Sequence, residues 1–292
     1  MKKTKWTASP YLVWMVAFIA VPLAIVVYFA FTDKAGHFTL ENIMGLGAYT
    51  TVFARSIVLA AIATAICLVL AFPVSYLLSR MRPASQRMMQ MLIMLPMWMN
   101  FLLRTYSWMS ILENNGLLNQ LFQQIGLIDL YNQVAMHFAA DPAAYVPIDH
   151  FQMIGTQGAV VLGMVYNYLP FMILPIYSVL VKLDHSLIEA ARDLGASSVQ
   201  VFRKVILPLS LPGVLSGITM VFVPSVSTFA ISRLLGGGTQ MMLGDLIEQQ
   251  FLGGAYNPQL GAAIALVMMA IVVVCMLVMN RFGDGEEQAV ML

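Results

Sequence analysis

KLDHSLIEAARDLGASSVQVFRKVILPLSLP, residues Lys182 to Pro212, is a polar island between two apolar runs. Ser186 stands three residues before Glu189, and Ser197 three before Gln200. Each pair has the spacing of a capping box, which satisfies free N–H groups at a helix start. Two short helices are expected. Gly195 between them suits the left-handed turn that closes a helix, and Pro208 and Pro212, which lack N–H groups, are expected to end the second. The result is a stiff elbow. Its first arm carries Leu187, Ile188, Ala190, Ala191 and Leu194, bordered by Glu189, Arg192 and Asp193. A small apolar surface with a charged rim fits a socket on a soluble partner better than burial in lipid.

Outside this stretch the chain is apolar. Of its 292 residues 60% are hydrophobic and 10% charged, whereas soluble domains carry roughly 25% charged residues. Six runs approach or exceed the roughly 20 residues that a membrane-crossing helix needs: Tyr11 to Phe31, Ile57 to Ser79, Met88 to Leu112, Gly158 to Val181, Gly213 to Ile231 and Leu260 to Asn280. They lack the alternation of barrel strands, and a helix satisfies its own backbone in lipid. The expected fold is all-α, a polytopic membrane protein of six transmembrane helices. Residues 1–292 then form one transmembrane domain, with the elbow at 182–212 and an external loop at 113–157.

Lys and Arg set the orientation, because they accumulate on the cytoplasmic flanks of spans. Lys2, Lys3, Lys5, Arg80, Arg82, Arg87, Lys182, Arg192, Arg203, Lys204 and Arg281 fall on one face, against Lys34, Arg55 and Arg233 on the other. Both termini and the elbow are expected in the cytoplasm. The first run is longer than the core of a secretory signal and is read as an uncleaved anchor. The net charge of +1 gives no hint of nucleic-acid binding.

Inside the spans, Pro22 and Pro73 free backbone carbonyls and bend helices, for packing or as hinges. Cys67 and Cys275 offer neither a disulfide framework nor a metal spacing, and are read as small packing residues. Arg104 is a charge placed well inside a span. Such a charge belongs to a gate or pathway, or else it snorkels or clamps carbonyls at a subunit contact; the structural role is favoured, because a fixed cation repels cationic cargo. Trp98, Tyr106 and Trp108 suit either an interfacial aromatic belt or a path for a cation. Tyr166, Asn167 and Tyr168 in the fourth run, and Ser225, Ser227 and Thr228 in the fifth, are expected to face a partner helix or a cavity. Gly213 and Gly217 form a GxxxG step, and Gly236 to Gly238 and Gly253-Gly254 mark bending or re-entrant backbone.

Glu189-Ala190-Ala191, then Gly195, then Ile206-Leu207-Pro208 resembles the EAA signature of permease subunits of binding-protein-dependent ABC importers. The resemblance implies the type I (MetI-like) importer fold and makes the elbow the coupling helix that docks on a cytoplasmic ATPase, through Glu189, Ala190, Ala191, Gly195, Leu207 and Pro208. Pro96, Trp98, Asn100, Leu103, Arg104 and Tyr106, then Asn114-Asn115-Gly116, Leu118-Asn119, Tyr166 and Leu169-Pro170-Phe171 resemble the PotB-type permeases of spermidine/putrescine importers. That subgroup implies a polyamine cargo moved by alternating access along a path including Trp98, Asn100, Tyr106, Trp108, Tyr166, Tyr168, Ser225 and Thr228. It also implies partners: a pair of ATPase subunits that hold ATP and Mg, a second related permease, and an extracytoplasmic polyamine-binding protein, all at a bacterial plasma membrane. This chain itself is expected to bind no cofactor.

Two features depart from the subgroup. The outer segment Val134 to Thr156 looks longer than usual, with Asp141, Pro142, Pro147 and Asp149 pointing to an ordered loop. Arg233 stands where the subgroup often carries an acidic residue. The outer loops otherwise hold Glu113, Asp129, Asp141, Asp149, Asp245 and Glu248, either a negative vestibule that concentrates a polycation or plain depletion of Lys and Arg from that face.

Three other classes compete. A membrane-embedded enzyme needs a nucleophile with a base, or metal ligands, at membrane depth. His37, His137, His150 and His185 instead fall in loops, with no HExxH and no carboxylate pair inside a span, so a non-catalytic chain is expected. No GxxxxGK followed by Ser or Thr occurs, so ATP is not bound by a P-loop of this chain. A same-fold permease for thiamine, ferric iron or sulfate is the stronger rival, and the EAA elbow argues against a free-standing secondary transporter or channel.

Overall fold

Long helices built on the apolar runs dominate the fold. The structure is a computed structural model and describes residues 9–138, 145–254 and 256–290. The expectations placed on Lys2, Lys3 and Lys5, and on Asp141 and Pro142, lie outside the described residues. Among the described residues, five helical stretches are long and apolar enough to cross a membrane: Pro10–Ala30, Glu41–Ser79, Gln157–Leu180, Ser198–Ser227 and Pro258–Met279.

The first begins as α1 (Ser9–Met15), passes through one π turn (Val16–Ala20) and continues as α2 (Val21–Ala30). The second ends in α3 (Thr50–Ser79), which runs through Pro73 without interruption. The expected third span, Met88 to Leu112, is instead broken. α4 (Pro83–Met94) tightens to a 3-10 turn at Leu95–Trp98, Met99 is extended, and α5 (Phe101–Leu112) starts afresh. The cause is local: Pro96 cannot donate into the ladder, and the Asn100 side chain accepts from the amides of Leu102 at 2.8 Å and Leu103 at 3.4 Å, which makes it a better cap than a helical residue. α6 (Leu117–Gln124) and α7 (Leu127–Phe138) lie in the connection between α5 and α8, so His137 is helical but outside the candidate spans. Asn119 and Asn132 pin the returning chain, at Phe151 and Ile148 respectively. Then come α8 (Gln157–Leu180), α9 (His185–Asp193), α10 (Ser198–Val201), α11 (Leu207–Ser227), α12 (Ala230–Leu235), α13 (Leu243–Leu252) and α14 (Pro258–Val290).

α3, α8 and α11 pack on one another as the central bundle. Ser56, Ala60, Ala63, Cys67, Ala71 and Ser75 recur every three to four residues along α3 and are all fully buried, a stripe of small side chains that lets backbones approach. The Ser75 hydroxyl donates to the Ile173 carbonyl at 3.0 Å across the α3–α8 contact. From the other side, Gly213 and Gly217 of α11 press against Pro175, Ile176 and Met172 of α8. Cys67 is thus a packing residue in this seam. α14 packs on α2, α11 and α13.

Two prolines act on their helices in the same way. Val21 N–H bonds to the Val16 carbonyl and Leu207 N–H to the Phe202 carbonyl, each five residues back, and in each case the next residue is proline, Pro22 or Pro208. The extra residue of the π turn absorbs the register error where the proline amide is missing. Pro208 and Pro212 therefore do not end the second elbow helix. α10, a π turn at Phe202–Ile206 and α11 run on as one body from Ser198 to Ser227, with the π turn accommodating Pro208 just beyond it. The fifth span correspondingly starts before Gly213, and it stops at Ser227 because Thr228 is extended.

Candidate functional site: the elbow, a buried arginine and a polar cavity

At the elbow the cap of α9 is Asp184, whose Oδ1 accepts from the Ser186 amide at 2.9 Å. Ser186 thus lies inside the first turn, and no capping box joins it to Glu189. Asp184 takes the cap because it is extended and sits two residues upstream, where its short carboxylate reaches the first free amide. The second expected box is complete: Ser197 N–H donates to Gln200 Oε1 at 2.8 Å, and Gln200 N–H donates to Ser197 Oγ at 3.4 Å. Gly195 has φ +81°. Its amide donates to the Arg192 carbonyl at 2.8 Å, and the Ala196 amide donates to the Ala191 carbonyl at 3.1 Å, the paired bonds of a Schellman closure.

The elbow's apolar side chains divide between two faces. Ile188, Ala191 and Ala196 turn inward and pack on the core with Met172, Ile176, Val201 and Ile206. Leu187, Glu189 and Ala190 are exposed, and Leu194 is 89% exposed. The outward patch is therefore smaller than the five-residue surface read from the sequence, because α9 must also bury one face on its own protein. Leu207 and Pro208 belong to the start of α11, beyond the π turn.

Deep in the bundle, Arg104 of α5 is 8% exposed, and its Nε and Nη1 have no hydrogen-bond partner. Among the described residues Arg104 makes no hydrogen bond to a carbonyl. α5 packs on α8 and α12, and the Tyr168 hydroxyl of α8 donates to the Pro224 carbonyl at 3.5 Å, with the Thr228 side chain close by and Arg104 within electrostatic reach. The neighbouring Asn167 Oδ1 is also buried without a partner. Trp108 meets Tyr166 edge-on, with ring centres 5.3 Å apart.

At the end of α11 opposite the elbow, the chain breaks at Thr228 and re-forms as α12 and α13. Gly237 (φ +56°) and Gly238 (φ +75°) make the turn between them. Here Arg233 Nη1 donates to both oxygens of Glu248, at 2.8 and 2.6 Å. Asp245 is 6% exposed; its Oδ2 accepts from the Ser232 hydroxyl and, at 3.1 Å, from the Met242 amide. Burial pushes its carboxyl above the usual carboxylate range, with Ser232 and the Met242 amide pulling the other way. Ser232, Arg233, Gln240, Met241, Asp245 and Glu248 line a cavity of about 240 Å³.

The sequence over residues 65–285 matches the family described as binding-protein-dependent transport system inner membrane component. The chain belongs to this family. It is a non-catalytic membrane component of an ABC importer. The spermidine/putrescine transport system permease PotB of Haemophilus influenzae is 33% identical over 283 residues, covering 93% of this chain and 92% of that one. PotB of Escherichia coli is 34% identical over 276 residues, covering 92% and 93%. The E. coli inner membrane ABC transporter permease YdcU is 30% identical, covering 84% and 76%. In structure, the permease resembles a chain of a bacterial ABC transporter that imports alginate, with TM-score 0.75 at 14% identity over 97% of this chain and 96% of that one. A chain of the MetNI methionine transporter gives 0.56 at 18% identity, over 81% and 94%. At such identities these likenesses establish the importer fold alone.

Within this permease the eight path candidates do not form one cluster. Tyr168 and Thr228 meet beside Arg104, and Trp108 pairs with Tyr166. Ser225 is fully buried but donates to the Val221 carbonyl of its own helix. Trp98 is 77% exposed, Tyr106 is exposed, and Asn100 is a helix cap. Sequence reasoning missed Asp184 as a cap, although Asp is as good an N-cap as Ser. It also missed Ser232 and Gln240, which carry no signal until the break at Thr228 brings them beside Asp245.

Proposed function

We propose that this permease carries polyamines, spermidine or putrescine, across the inner membrane, driven by a pair of ATPase subunits that hold ATP and Mg. A second related permease and an external polyamine-binding protein complete the assembly. Residues 1–292 act as one permease domain, with 182–212 as its coupling segment and 113–157 as its outer loop. The observation that carries the cargo reading is the 33–34% identity to two spermidine/putrescine permeases over more than 90% of the chain.

The geometry supports a coupling route. The exposed Leu187, Glu189, Ala190 and Leu194 are the docking face, and Gly195 holds the corner. Because Ser198–Ser227 is one continuous helix of 30 residues, a push at the elbow is carried about 45 Å along a single element. It is delivered to the break at Thr228, beside Tyr168, Arg104 and the polar cavity. ATP shifts the inward and outward states only if the ATPase binds closed elbows more tightly than open ones. Tyr168 and Thr228 at the end of this helix, beside Arg104, are the path residues whose surroundings change in that shift.

The test is uptake of labelled spermidine into cells expressing the whole assembly, with and without this chain, challenged by excess putrescine, thiamine or sulfate. Chain-dependent uptake blocked by putrescine alone is the expected result. Assembly and ATP hydrolysis without chain-dependent polyamine uptake would discard the cargo.

A further inference from the structure

The cavity between α12 and α13 gathers the polar side chains of Ser232, Arg233, Gln240, Asp245, Glu248 and Gln249 beside the apolar Met241. Two carboxylates three residues apart, Asp245 and Glu248, present themselves from one face of α13. Asp245 Oδ2 is taken by Ser232 and the Met242 amide, but Oδ1 accepts no hydrogen bond among the described residues, and the side chain lines the cavity. Gln240 is fixed through its Nε2, which donates to the Gly155 carbonyl at 3.2 Å, and its buried Oε1 has no partner. Against these acceptors the lining offers one cation, Arg233, whose side chain is 59% exposed. It reaches Glu248 from across the turn. The buried Gln240 Oε1 is costly to leave unpaired, and Asp245 Oδ1 is free to accept from a donor that enters the cavity.

We infer that this cavity is a binding site for an alkylammonium group and that Arg233 is its resident counter-ion, displaced from Glu248 when the ammonium enters. This rests on the polyamine reading and gives that cargo a place of contact. An ammonium has three donors and no acceptor, which matches Asp245 Oδ1, Gln240 Oε1 and a Glu248 oxygen. Two carboxylates against one guanidinium exclude an anion. The guanidinium end of this pair is 59% exposed, so water takes it up when it leaves Glu248, one cation exchanges for another there, and the arginine returns when the cargo leaves. Arg233 then sets how tightly the site holds its ligand, which accounts for a basic residue beside a site for cations.

The experiment uses the complete assembly in nanodiscs with labelled methionine methyl groups. The Met241 methyl lines the cavity and is assigned by Met241→Leu. Titration with butylammonium chloride is expected to shift it saturably, and sodium chloride is not. Glu248→Gln and Asp245→Asn should each raise the midpoint about tenfold, the loss of one charged hydrogen bond, and Arg233→Gln should lower it by a similar factor because a competitor is gone. A merely structural ion pair moves the Glu248 and Arg233 variants in the same direction, and that result overturns the site. So does the absence of a saturable shift in the wild type. Each variant must co-purify with its partners, and Asp245→Asn, which keeps the Ser232 contact, serves if Glu248→Gln does not assemble. Spermidine uptake by the same preparation separates the two ideas. Uptake without a Met241 shift sinks the site and keeps the cargo; a shift without uptake keeps the site and sinks the cargo.

Discussion

Gly213 lies against the carbonyl oxygen of Pro175, so close that a Cβ added there would stand 2.8 Å from it. The contact is backbone on backbone, between the helix that leaves the elbow and the central α8, and no side-chain rotation relieves it. Gly213→Val is expected to cost about 1–3 kcal/mol through overpacking and to lower the thermal midpoint of the purified complex. Gly45→Ala, at a position with nothing within 4 Å, is the matched control and should leave it unchanged.

The caps of the elbow make an unequal pair of predictions. Asp184→Ala and Ser197→Ala each remove a side-chain acceptor from a helix start and should each cost about 1 kcal/mol. Amide exchange in α9 and α10 respectively should speed up accordingly. Ser186→Ala, despite its position three residues before Glu189, should change exchange hardly at all.

Gly195 has φ +81°, and a Cβ added there would meet nothing within 4 Å. Gly195→Val therefore fails by backbone strain rather than by collision, costing about 1–2 kcal/mol, and should weaken co-purification with the ATPase. Asn tolerates the left-handed region better than other residues, so Gly195→Asn should restore much of the binding. Equal loss in both variants would place the fault in the docking face instead of the turn.

Glu189 is exposed on α9, and Glu189→Lys should shift stability by no more than about 0.5 kcal/mol. Its expected effect is on coupling: the assembly forms and hydrolyses ATP, while uptake falls at least tenfold. Uptake at the wild-type rate would remove Glu189 from the coupling face.

Asp245 supplies a pH dependence. Its folded carboxyl titrates above the ordinary value of 3.8 because burial disfavours the charge. Between that value and the folded one, the unfolded chain has lost the proton and the folded chain has kept it. Stability therefore falls as pH rises through this window and is recovered on acidification. Asp245→Asn should flatten that slope and raise the thermal midpoint at neutral pH, while weakening butylammonium binding. Acidifying the wild type into the same window should weaken that binding too, since a protonated Asp245 is no longer an anion. Thermal unfolding and the Met241 titration, run from neutral pH downward, check both halves.

Much of the architecture is legible in residue order because membrane helices answer to local rules. Length and apolarity mark out the α1–α2, α3, α8, α11 and α14 segments. The positive φ of Gly195 and the Ser197–Gln200 box follow from side chains within a few residues of each other, and the Glu189-to-Pro208 pattern announces the family. The failures share a physical origin as well. Met88 to Leu112 is apolar enough to span, but composition does not register that Pro96 and the capping Asn100 make two helices of one run. Ser186 and Asp184 are equivalent caps until the backbone chooses which of them is extended. Pro208 reads as a stop, and only a five-residue hydrogen bond at Leu207 shows that a π turn carries the helix through it. Arg233, Glu248, Asp245 and Gln240 are ordinary polar loop residues in the sequence. The break at Thr228 folds α13 back over α12, burying one carboxylate and pairing the other with arginine. Hydrophobicity and caps act through near neighbours and so belong to the sequence, whereas burial and ion pairing depend on which distant segments meet, and the tertiary structure alone decided those.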